Sequence, residues 1–294
     1  AMRATVGRLV GAYALAAIDT AYPTEVVGTR RGSPLVVGIG IGENFLASDQ
    51  LALRQVTDRF IYLEDGDLVQ ATPDSLKIFD AGGNPVLRPR TRISEAVEAA
   101  DMGDFDHFMI KEIYEQPRAL EATFRGAANY RQLEDSFGRD AAAMLDRVQT
   151  VQIVACGTSY HAGMVARYWL EELAGVACEV EVASEFRYRK RVQHEGTLLV
   201  VISQSGETAD TLAALRNATE GEFIGSLVVA NVDNSSLVRE CDLVFLTRAG
   251  AEIGVASTKA FTTQLVGLLM LTLALGRRRG MDEARQNEIM QALA

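Results

Sequence analysis

The chain reads Ser203-Gln204-Ser205-Gly206-Glu207-Thr208 between an apolar run at 198–202 and a helical apolar pattern at 212–215. This order of small hydroxylated residues and a glycine predicts a strand, a turn and a helix. The first N–H groups of a helix lack partners within the helix and carry partial positive charge, so such a turn can bind an anion. The same residues also suit an ordinary helix cap, with Glu207 completing a capping box. This stretch alone leaves both interpretations open.

Composition restricts the class of protein. The 294 residues suffice for two domains with separate cores, and 48% hydrophobic with 23% charged residues is typical of a soluble globular chain. A formal net charge of -10 argues against a nucleic acid or an anionic membrane as partner, because both favour basic surfaces. The cysteines, Cys156, Cys178 and Cys241, show no paired spacing, which indicates a reduced cytoplasmic protein without a disulfide frame or a zinc site.

Two apolar segments partly resemble export or membrane signals. Residues 9–18 follow two arginines, as in a signal peptide, but glycines and an aspartate lie in or beside them and no clean cleavage site follows. Residues 260–275 contain threonines and a glutamine and fall short of the ~20 residues that a membrane span needs. We therefore expect a buried helix there, ended by Gly280. The arginines at 277–279 suit its C-terminus better than a phosphate site.

The first part of the chain is β-rich. Short strand-like runs separated by turn signals occur at Leu35–Ile39, Phe45–Ala47, Arg59–Leu63, Asp67–Ala71 and Ser75–Phe79. The glycine pattern at 38–42 is interpreted as a hairpin. Residues 91–107 shift to charged and small residues and form the expected linker. A helix is expected from Phe108, with a restart at Pro117.

From residue 151 onward, strands and helices alternate. The expected strands are Val151–Ala155, Cys178–Ala183, Leu198–Ile202, Ser226–Ala230 and Leu243–Leu246. This rhythm predicts an α/β fold with a doubly wound, five-stranded parallel sheet, in which ligands bind at the carboxyl ends of the strands. Three loops at that edge, 156–159, 203–208 and 255–258, place serine or threonine at a helix start. Their convergence favours the anion site over the helix cap.

Several motifs in order resemble those of one family. They are Cys156-Gly157-Thr158-Ser159, Ser184-Glu185-Phe186-Arg187-Tyr188, the stretch 203–211, and Glu252-Ile253-Gly254-Val255-Ala256-Ser257-Thr258-Lys259. With Lys111-Glu112-Ile113-Tyr114-Glu115-Gln116-Pro117 ahead of them, they are similar to the glucosamine-6-phosphate synthase family, the isomerising glutamine:fructose-6-phosphate aminotransferases. Gly32-Ser33-Pro34-Leu35 and Ser48-Asp49-Gln50 resemble the closing part of that family's glutaminase domain. The resemblance covers essentially the whole chain.

The resemblance implies a domain organisation. Residues 1–90 would be the C-terminal part of an N-terminal-nucleophile (type 2 amidotransferase) glutaminase domain, 91–107 a linker, and 108–294 the first sugar isomerase (SIS) subdomain with its entry helices. Family members begin with a catalytic cysteine and carry a second SIS subdomain with the Schiff-base lysine, an isomerisation glutamate and a ring-opening histidine. These 294 residues include neither part. We therefore expect an internal piece without catalytic residues that keeps the phosphosugar half-site.

The resemblance also implies the substrate and its contacts. The phosphate of fructose 6-phosphate would be bound by five residues, Ser159, Ser203, Gln204, Ser205 and Thr208, and the sugar would be lined by Thr158, Val255 and Ser257. The parent enzyme would make glucosamine 6-phosphate from fructose 6-phosphate and glutamine, for amino sugar biosynthesis. It would use no metal or organic cofactor and would be a homodimer or larger. The alternative is a non-catalytic SIS-type module that senses sugar phosphates.

Other chemically active residues have structural explanations. Cys156 lies at a helix start but has no evident base partner, so we expect a packed residue and not a nucleophile. We expect His161 to be a surface or capping group and Lys259 to be structural. Glu207 and Glu252 are candidate bases, although Glu207 fits a helix cap better. We expect a solvated or interface face for three arginines, Arg187, Arg189 and Arg191.

Overall fold

The chain folds into two compact units, Ala1–Ala99 and Ala100–Ala294. A computed structural model describes residues 2–53, 56–92, 102–128, 133–192, 194–218 and 221–293. Most of the expected linker at 91–107 lies outside the described residues. The assignment of the first unit to a glutaminase domain stays a prediction.

The first unit contains two antiparallel sheets. After a short helix, α1 (Met2–Val6), its strands are β1 (Tyr13–Asp19), β2 (Tyr22–Arg31), β3 (Val36–Ile39), β4 (Asn44–Ala47), β5 (Arg59–Tyr62), β6 (Leu68–Ala71), β7 (Leu76–Phe79), β8 (Pro85–Val86) and β9 (Thr91–Arg92). One sheet has the order β1-β2-β6-β7-β8 and the other the order β4-β3-β5-β9. Val37 and Ile61 of the second sheet pack against Val69 and Ile78 of the first.

The five strands expected here are confirmed as β3 to β7, but β1, β2, β8 and β9 were not predicted from the sequence. Residues 13–19 form an edge strand that pairs antiparallel with β2. The segment is alanine-rich and mostly exposed, so neither strand propensity nor an apolar alternation marked it. The hairpin at the glycine pattern is confirmed, because Ile39 of β3 pairs with Asn44 of β4.

The second unit contains the predicted parallel sheet. Its strands are β10 (Thr150–Ala155), β11 (Ala177–Val182), β12 (Thr197–Ser203), β13 (Gly225–Ala230) and β14 (Leu243–Leu246). Their order is β11-β10-β12-β13-β14, and every neighbouring pair is parallel. The chain therefore moves from β10 to one side for β11 and then returns to the other side for β12. This reversal opens a crevice at the carboxyl ends of β10 and β12, where doubly wound sheets bind ligands.

Helices cover both faces of this sheet. They are α2 (Phe108–Ala128), α3 (Ala141–Leu145), α4 (Gly157–Ala174), α5 (Ala183–Phe186), α6 (Ala209–Asn217), α7 (Ser236–Glu240), α8 (Lys259–Arg278) and α9 (Glu283–Leu293). Ile153 and Val200 pack toward α4 and α8, whereas Val154 and Val201 pack toward α5, α6 and α7. Successive residues of the central strands are thus buried on opposite faces, which explains apolar runs such as 198–202, whereas the edge strand β11 carries Glu179 and Glu181.

Helix α8 is the buried helix expected at 260–275. Within the described residues it is the one helix whose length and composition would allow a membrane crossing, and 78% of its most apolar stretch is buried inside the fold. Burial of this kind is also what a core helix requires. Gly280 follows it with a φ of 87°, a left-handed conformation that glycine adopts without strain. Arg278 pairs with Glu134 and Asp146 and so serves the fold.

The predicted helix restart at Pro117 is wrong, because α2 continues through this residue. A proline inside a helix removes one N–H donor and leaves the carbonyl four residues earlier without its partner. Here the side-chain amide of Gln116 donates to that carbonyl, Ile113 O, at 3.1 Å. The neighbouring side chain therefore replaces the bond that the proline cannot make.

Truncation of Leu170, which is fully buried on α4, tests the packing of this unit. We expect Leu170→Ala to lower the free energy of unfolding by about 2–5 kcal/mol, because it leaves a cavity in the core. Trp169, the only tryptophan of the chain, packs against the same core, so its fluorescence during urea unfolding reports on this unit. Tyr168 is 69% exposed on the same helix, and Tyr168→Ala should change stability by about 0.5 kcal/mol or less. Equal losses in the two variants would contradict this packing.

Candidate functional site

The loops after β10 and β12 lie side by side. Ala155 at the end of β10 pairs with Ile202 of β12, and Ser203 pairs with Ala230 at the end of β13. The segments 156–159 and 203–208 therefore begin at adjacent strand ends, at the crevice where the strand order reverses. This pairing brings Thr158 and Ser159 to the same sheet edge as Ser203–Thr208.

Hydroxyl groups organise the loop at 203–208. The Ser203 hydroxyl accepts a hydrogen bond from the Gly206 N–H at 3.0 Å and lies 2.8 Å from the Thr208 hydroxyl. The Ser205 hydroxyl accepts from the Glu207 N–H at 3.2 Å. Thr208 is the N-cap residue of α6, yet its side chain makes no cap hydrogen bond. Its hydroxyl is oriented into the loop and not toward the helix.

Gly206 is required by the shape of this loop. Its φ of 67° lies in the left-handed region. A Cβ atom there would fall 1.9 Å from the Ser235 hydroxyl oxygen. Both observations exclude a larger residue, since the backbone must turn sharply and also pass close to the segment that precedes α7.

The capping-box prediction for Glu207 is wrong about which helix it serves. Its Oε1 accepts the N–H of Ser236, at the start of α7, at 2.7 Å. The Leu237 N–H also donates to the Gly206 carbonyl at 3.1 Å. Glu207 thus fastens the 203–208 loop to the start of α7. A carboxylate used in this way is poorly placed to act as a base.

Several buried polar atoms in and around these loops have no hydrogen-bond partner. Among the described residues they include Gln204 Nε2 in the 203–208 loop and Ser257 Oγ in the loop before α8, together with Ser235 Oγ and Thr211 Oγ1. A buried polar group without a partner costs about 1–3 kcal/mol, so such atoms in a loop cluster indicate a site for a ligand or an ordered water. Of these residues, Gln204 and Ser257 were predicted to bind the substrate.

The first turn of α4 is the second part of the site. Cys156 is its N-cap residue, and no side chain caps the helix. Ser159 is buried and Thr158 is exposed. The first N–H groups of an 18-residue helix therefore lie beside the 203–208 loop without a side-chain cap. Cys156 packs against the core cluster beneath α5 and α6, as expected for a structural residue.

Two carboxylates shape the third loop, which here comprises residues 252–258 and precedes α8. Glu112 of α2 is 2% exposed, and its carboxylate accepts the N–H groups of Ile253 at 2.6 Å and Gly254 at 3.1 Å. A Cβ atom on Gly254 would lie 2.6 Å from Glu112 Oε2, which explains the glycine. Glu252 accepts the N–H groups of Thr258 and Ala260 at 2.9 and 3.0 Å, so it caps α8. Because its Oε1 already accepts these two hydrogen bonds, Glu252 is poorly placed to act as a base.

Lys259 is structural, as expected. It is 4% exposed, and its Nζ lies 2.6 Å from Glu115 Oε2. Burial acts to raise the pKa of Glu115, but hydrogen bonds and charge from Lys259 and Lys111 outweigh it, and the pKa lies below its ordinary value of 4.5. The amine of Lys259 is therefore engaged in a buried ion pair with Glu115 and not presented to a substrate.

The remaining candidates divide as follows. Val255 is fully exposed at the tip of the third loop. Burial raises the pKa of the Cys178 and Cys241 thiols to about 12, so neither supplies a thiolate at neutral pH. Of the solvated or interface face expected for the three arginines, the solvated alternative is wrong for Arg191, because its side chain is 10% exposed and its guanidinium lies 3.7 Å from the Phe186 ring centroid; the interface alternative stays a prediction. No group of metal-binding side chains occurs in the part of the chain that the structure describes.

Comparison with known proteins identifies the second unit. The model of the SIS domain family matches residues 144–274. Glutamine–fructose-6-phosphate aminotransferase (isomerizing) from Pseudomonas syringae pv. tomato is 59% identical over 100% of this chain and 48% of its own length. The protein of the same name from Pseudomonas putida is 62% identical over 97% of this chain and 47% of its own length. The chain belongs to this aminotransferase family. It spans about half the length of the curated relatives it matches.

A solved structure agrees with the fold. The C-terminal domain of glucosamine-fructose-6-phosphate aminotransferase from Francisella tularensis is 48% identical, with a TM-score of 0.64, over 66% of this chain and 55% of that chain. The predicted SIS-type doubly wound sheet is thereby confirmed. The assignment of individual substrate contacts in the SIS domain stays a prediction.

Removal of the Glu112 charge should release the third loop of the SIS domain. In Glu112→Gln one oxygen can still accept from Ile253 and Gly254, but the bonds lose their charged acceptor and the second oxygen near the Gly254 N–H becomes an NH₂ donor, so we expect hydrogen exchange at both residues to accelerate about tenfold. Glu121→Gln on the same helix removes an exposed carboxylate that pairs with Arg125, and it should leave these amides unchanged. Unchanged protection in Glu112→Gln would mean that other contacts hold the loop.

Proposed function

We propose that the SIS domain of this chain binds the phosphate of fructose 6-phosphate, as the phosphosugar-binding part of an isomerising glutamine–fructose-6-phosphate aminotransferase. The observation that carries the proposal is the buried, unpartnered Gln204 Nε2 directly after β12, at the strand-order reversal; Ser257 Oγ, in the loop before α8, is a second donor of this kind. A phosphate ester has oxygens for the first donor, and a sugar has hydroxyl groups for the second.

In this proposal the phosphate receives the side chains of five residues: Ser159, Ser203, Gln204, Ser205 and Thr208. The N-terminal turns of α4 and α6 direct their free N–H groups at the same dianion. Thr158, Val255 and Ser257 line the sugar. We assign no catalytic role to any residue of the chain, because Glu207, Glu252 and Lys259 are occupied by structural contacts.

Charge explains why this site would rely on neutral donors. The chain has a formal net charge of -10, and neither segment 156–159 nor segment 203–208 contains a lysine or an arginine. The overall field therefore repels a phosphate, and attraction must come from nearby N–H and O–H dipoles. Such a site selects by geometry, since dipoles act only at hydrogen-bond range.

The wider assignments rest on the relatives' names. Glutamine would be the nitrogen donor of the whole enzyme, and the first unit would belong to a glutaminase domain. A cytoplasmic location and a homodimer or larger assembly are parts of the same proposal. Three free cysteines suit the cytoplasmic location.

Calorimetric titration with fructose 6-phosphate tests the proposal, and Ser205→Ala is the critical variant. We expect saturable binding that weakens at least tenfold in Ser205→Ala, because a hydrogen bond to a charged group is worth about 1.5–3 kcal/mol. Ser75→Ala removes a hydroxyl from a turn of the first unit and should bind like the unmodified chain.

Fructose without a phosphate group should not bind in the same titration. Two results would contradict the proposal: a folded chain that does not bind fructose 6-phosphate, or a Ser205→Ala variant with unchanged affinity.

A further inference from the structure

Asn231 lies at the junction of three strand ends. It follows β13 directly, and its main-chain N–H donates to the Gln204 carbonyl of the 203–208 loop at 3.1 Å. The side chain reaches the opposite way, toward the segment that follows β14. One residue thus contacts both the proposed phosphate loop and the segment that leads to the third loop.

The side-chain amide of Asn231 is committed to that second segment. Its Oδ1 accepts the Thr247 hydroxyl at 3.0 Å and the Ala249 N–H at 2.7 Å. Its Nδ2 donates to the Gly250 carbonyl at 2.7 Å. Both ends of the amide are therefore used on three residues of the 247–250 segment, as in a clamp around a turn.

The clamped turn has an unfavourable backbone. Arg248 has a φ of 52° and Gly250 a φ of 72°, both in the left-handed region. For arginine this conformation costs conformational free energy, so it persists only where neighbouring contacts impose it. The three hydrogen bonds of the Asn231 side chain supply such contacts, together with the Thr123 hydroxyl, which donates to the Thr247 carbonyl.

The turn determines where the third loop begins. Residues 252–258 begin two positions after Gly250 and carry Val255 and Ser257, the proposed sugar contacts. Glu112 and Glu252 hold the middle and the end of this loop, whereas Asn231 holds its entrance. The position of the sugar contacts relative to the 203–208 loop therefore depends on the Asn231 side chain.

We propose that Asn231 is a positioning residue that couples the 203–208 loop, the phosphate loop, to the third loop at 252–258, the sugar loop. This coupling gives the site its preference for a sugar phosphate over inorganic phosphate. This inference rests on the proposed function. A preformed pair of half-sites binds both parts of one ligand without an ordering cost at the moment of binding. Without the clamp, the sugar loop would have to be ordered by the ligand itself.

Calorimetric titrations with inorganic phosphate and with fructose 6-phosphate test this coupling in Asn231→Ala. The main-chain bond to Gln204 survives the substitution, so we expect the dissociation constant for inorganic phosphate to stay within about twofold. The dissociation constant for fructose 6-phosphate should rise about tenfold, because its sugar part loses a positioned loop. Asn217→Ala, at the far end of α6, is the matched control and should change neither constant.

Thr247→Val is the second variant in case Asn231→Ala does not fold. It removes one of the three hydrogen bonds of the Asn231 side chain at nearly constant volume. We expect it to weaken the binding of fructose 6-phosphate, by less than Asn231→Ala does, and to leave the binding of inorganic phosphate unchanged. An equal loss of affinity for both ligands, or no change in either dissociation constant, would overturn the coupling and leave the proposed function intact. An unmodified chain that binds fructose 6-phosphate no better than inorganic phosphate would overturn the coupling alone, whereas a folded chain that binds neither ligand would overturn both proposals.

Discussion

The parallel pairing of β10 with β12 is the constraint on which the rest of the structure depends. Because β11 lies on the far side of β10, the loops that leave β10 and β12 turn to opposite faces and a crevice opens between them. The first turns of α4 and α6 then lie at one edge of the sheet. Buried apolar residues on both faces of these strands fix the pairing, so the core and the site share one cause.

Acidic side chains hold the loops of the site in place. Glu207, Glu112 and Glu252 each accept main-chain N–H groups, from the start of α7, from the third loop and from the start of α8, respectively. Each bond joins segments that lie apart in the sequence or closes the end of a helix. The carboxylates therefore fix the loop backbone, and neutral hydroxyls and amides such as Gln204 Nε2 remain for a ligand. This separation of roles suits an anionic ligand, because the three carboxylates already accept hydrogen bonds from main-chain N–H groups.

The sequence predicted what depends on local pattern and missed what depends on distant contacts. The central parallel strands were found because burial on both faces makes them largely apolar runs, as in residues 198–202. β1 was missed because its alanine-rich residues are ordered by pairing with β2, and α2 was wrongly interrupted because Gln116 compensates for Pro117. Glu207 was assigned to the wrong helix because its partner lies 29 residues further along the chain. The role of Asn231 is invisible to pattern for the same reason, since its side-chain partners are 16 to 19 residues away.

The most direct measurement is a crystal structure of the chain with fructose 6-phosphate bound. We predict the phosphate group between the first turns of α4 and α6, with Gln204 Nε2 and the Ser205 hydroxyl within hydrogen-bond distance of its oxygens. The Ser257 hydroxyl should contact the sugar. A phosphate bound elsewhere on the SIS domain, with Gln204 and Ser257 still unpartnered, would contradict the assignment of this crevice as the phosphosugar site.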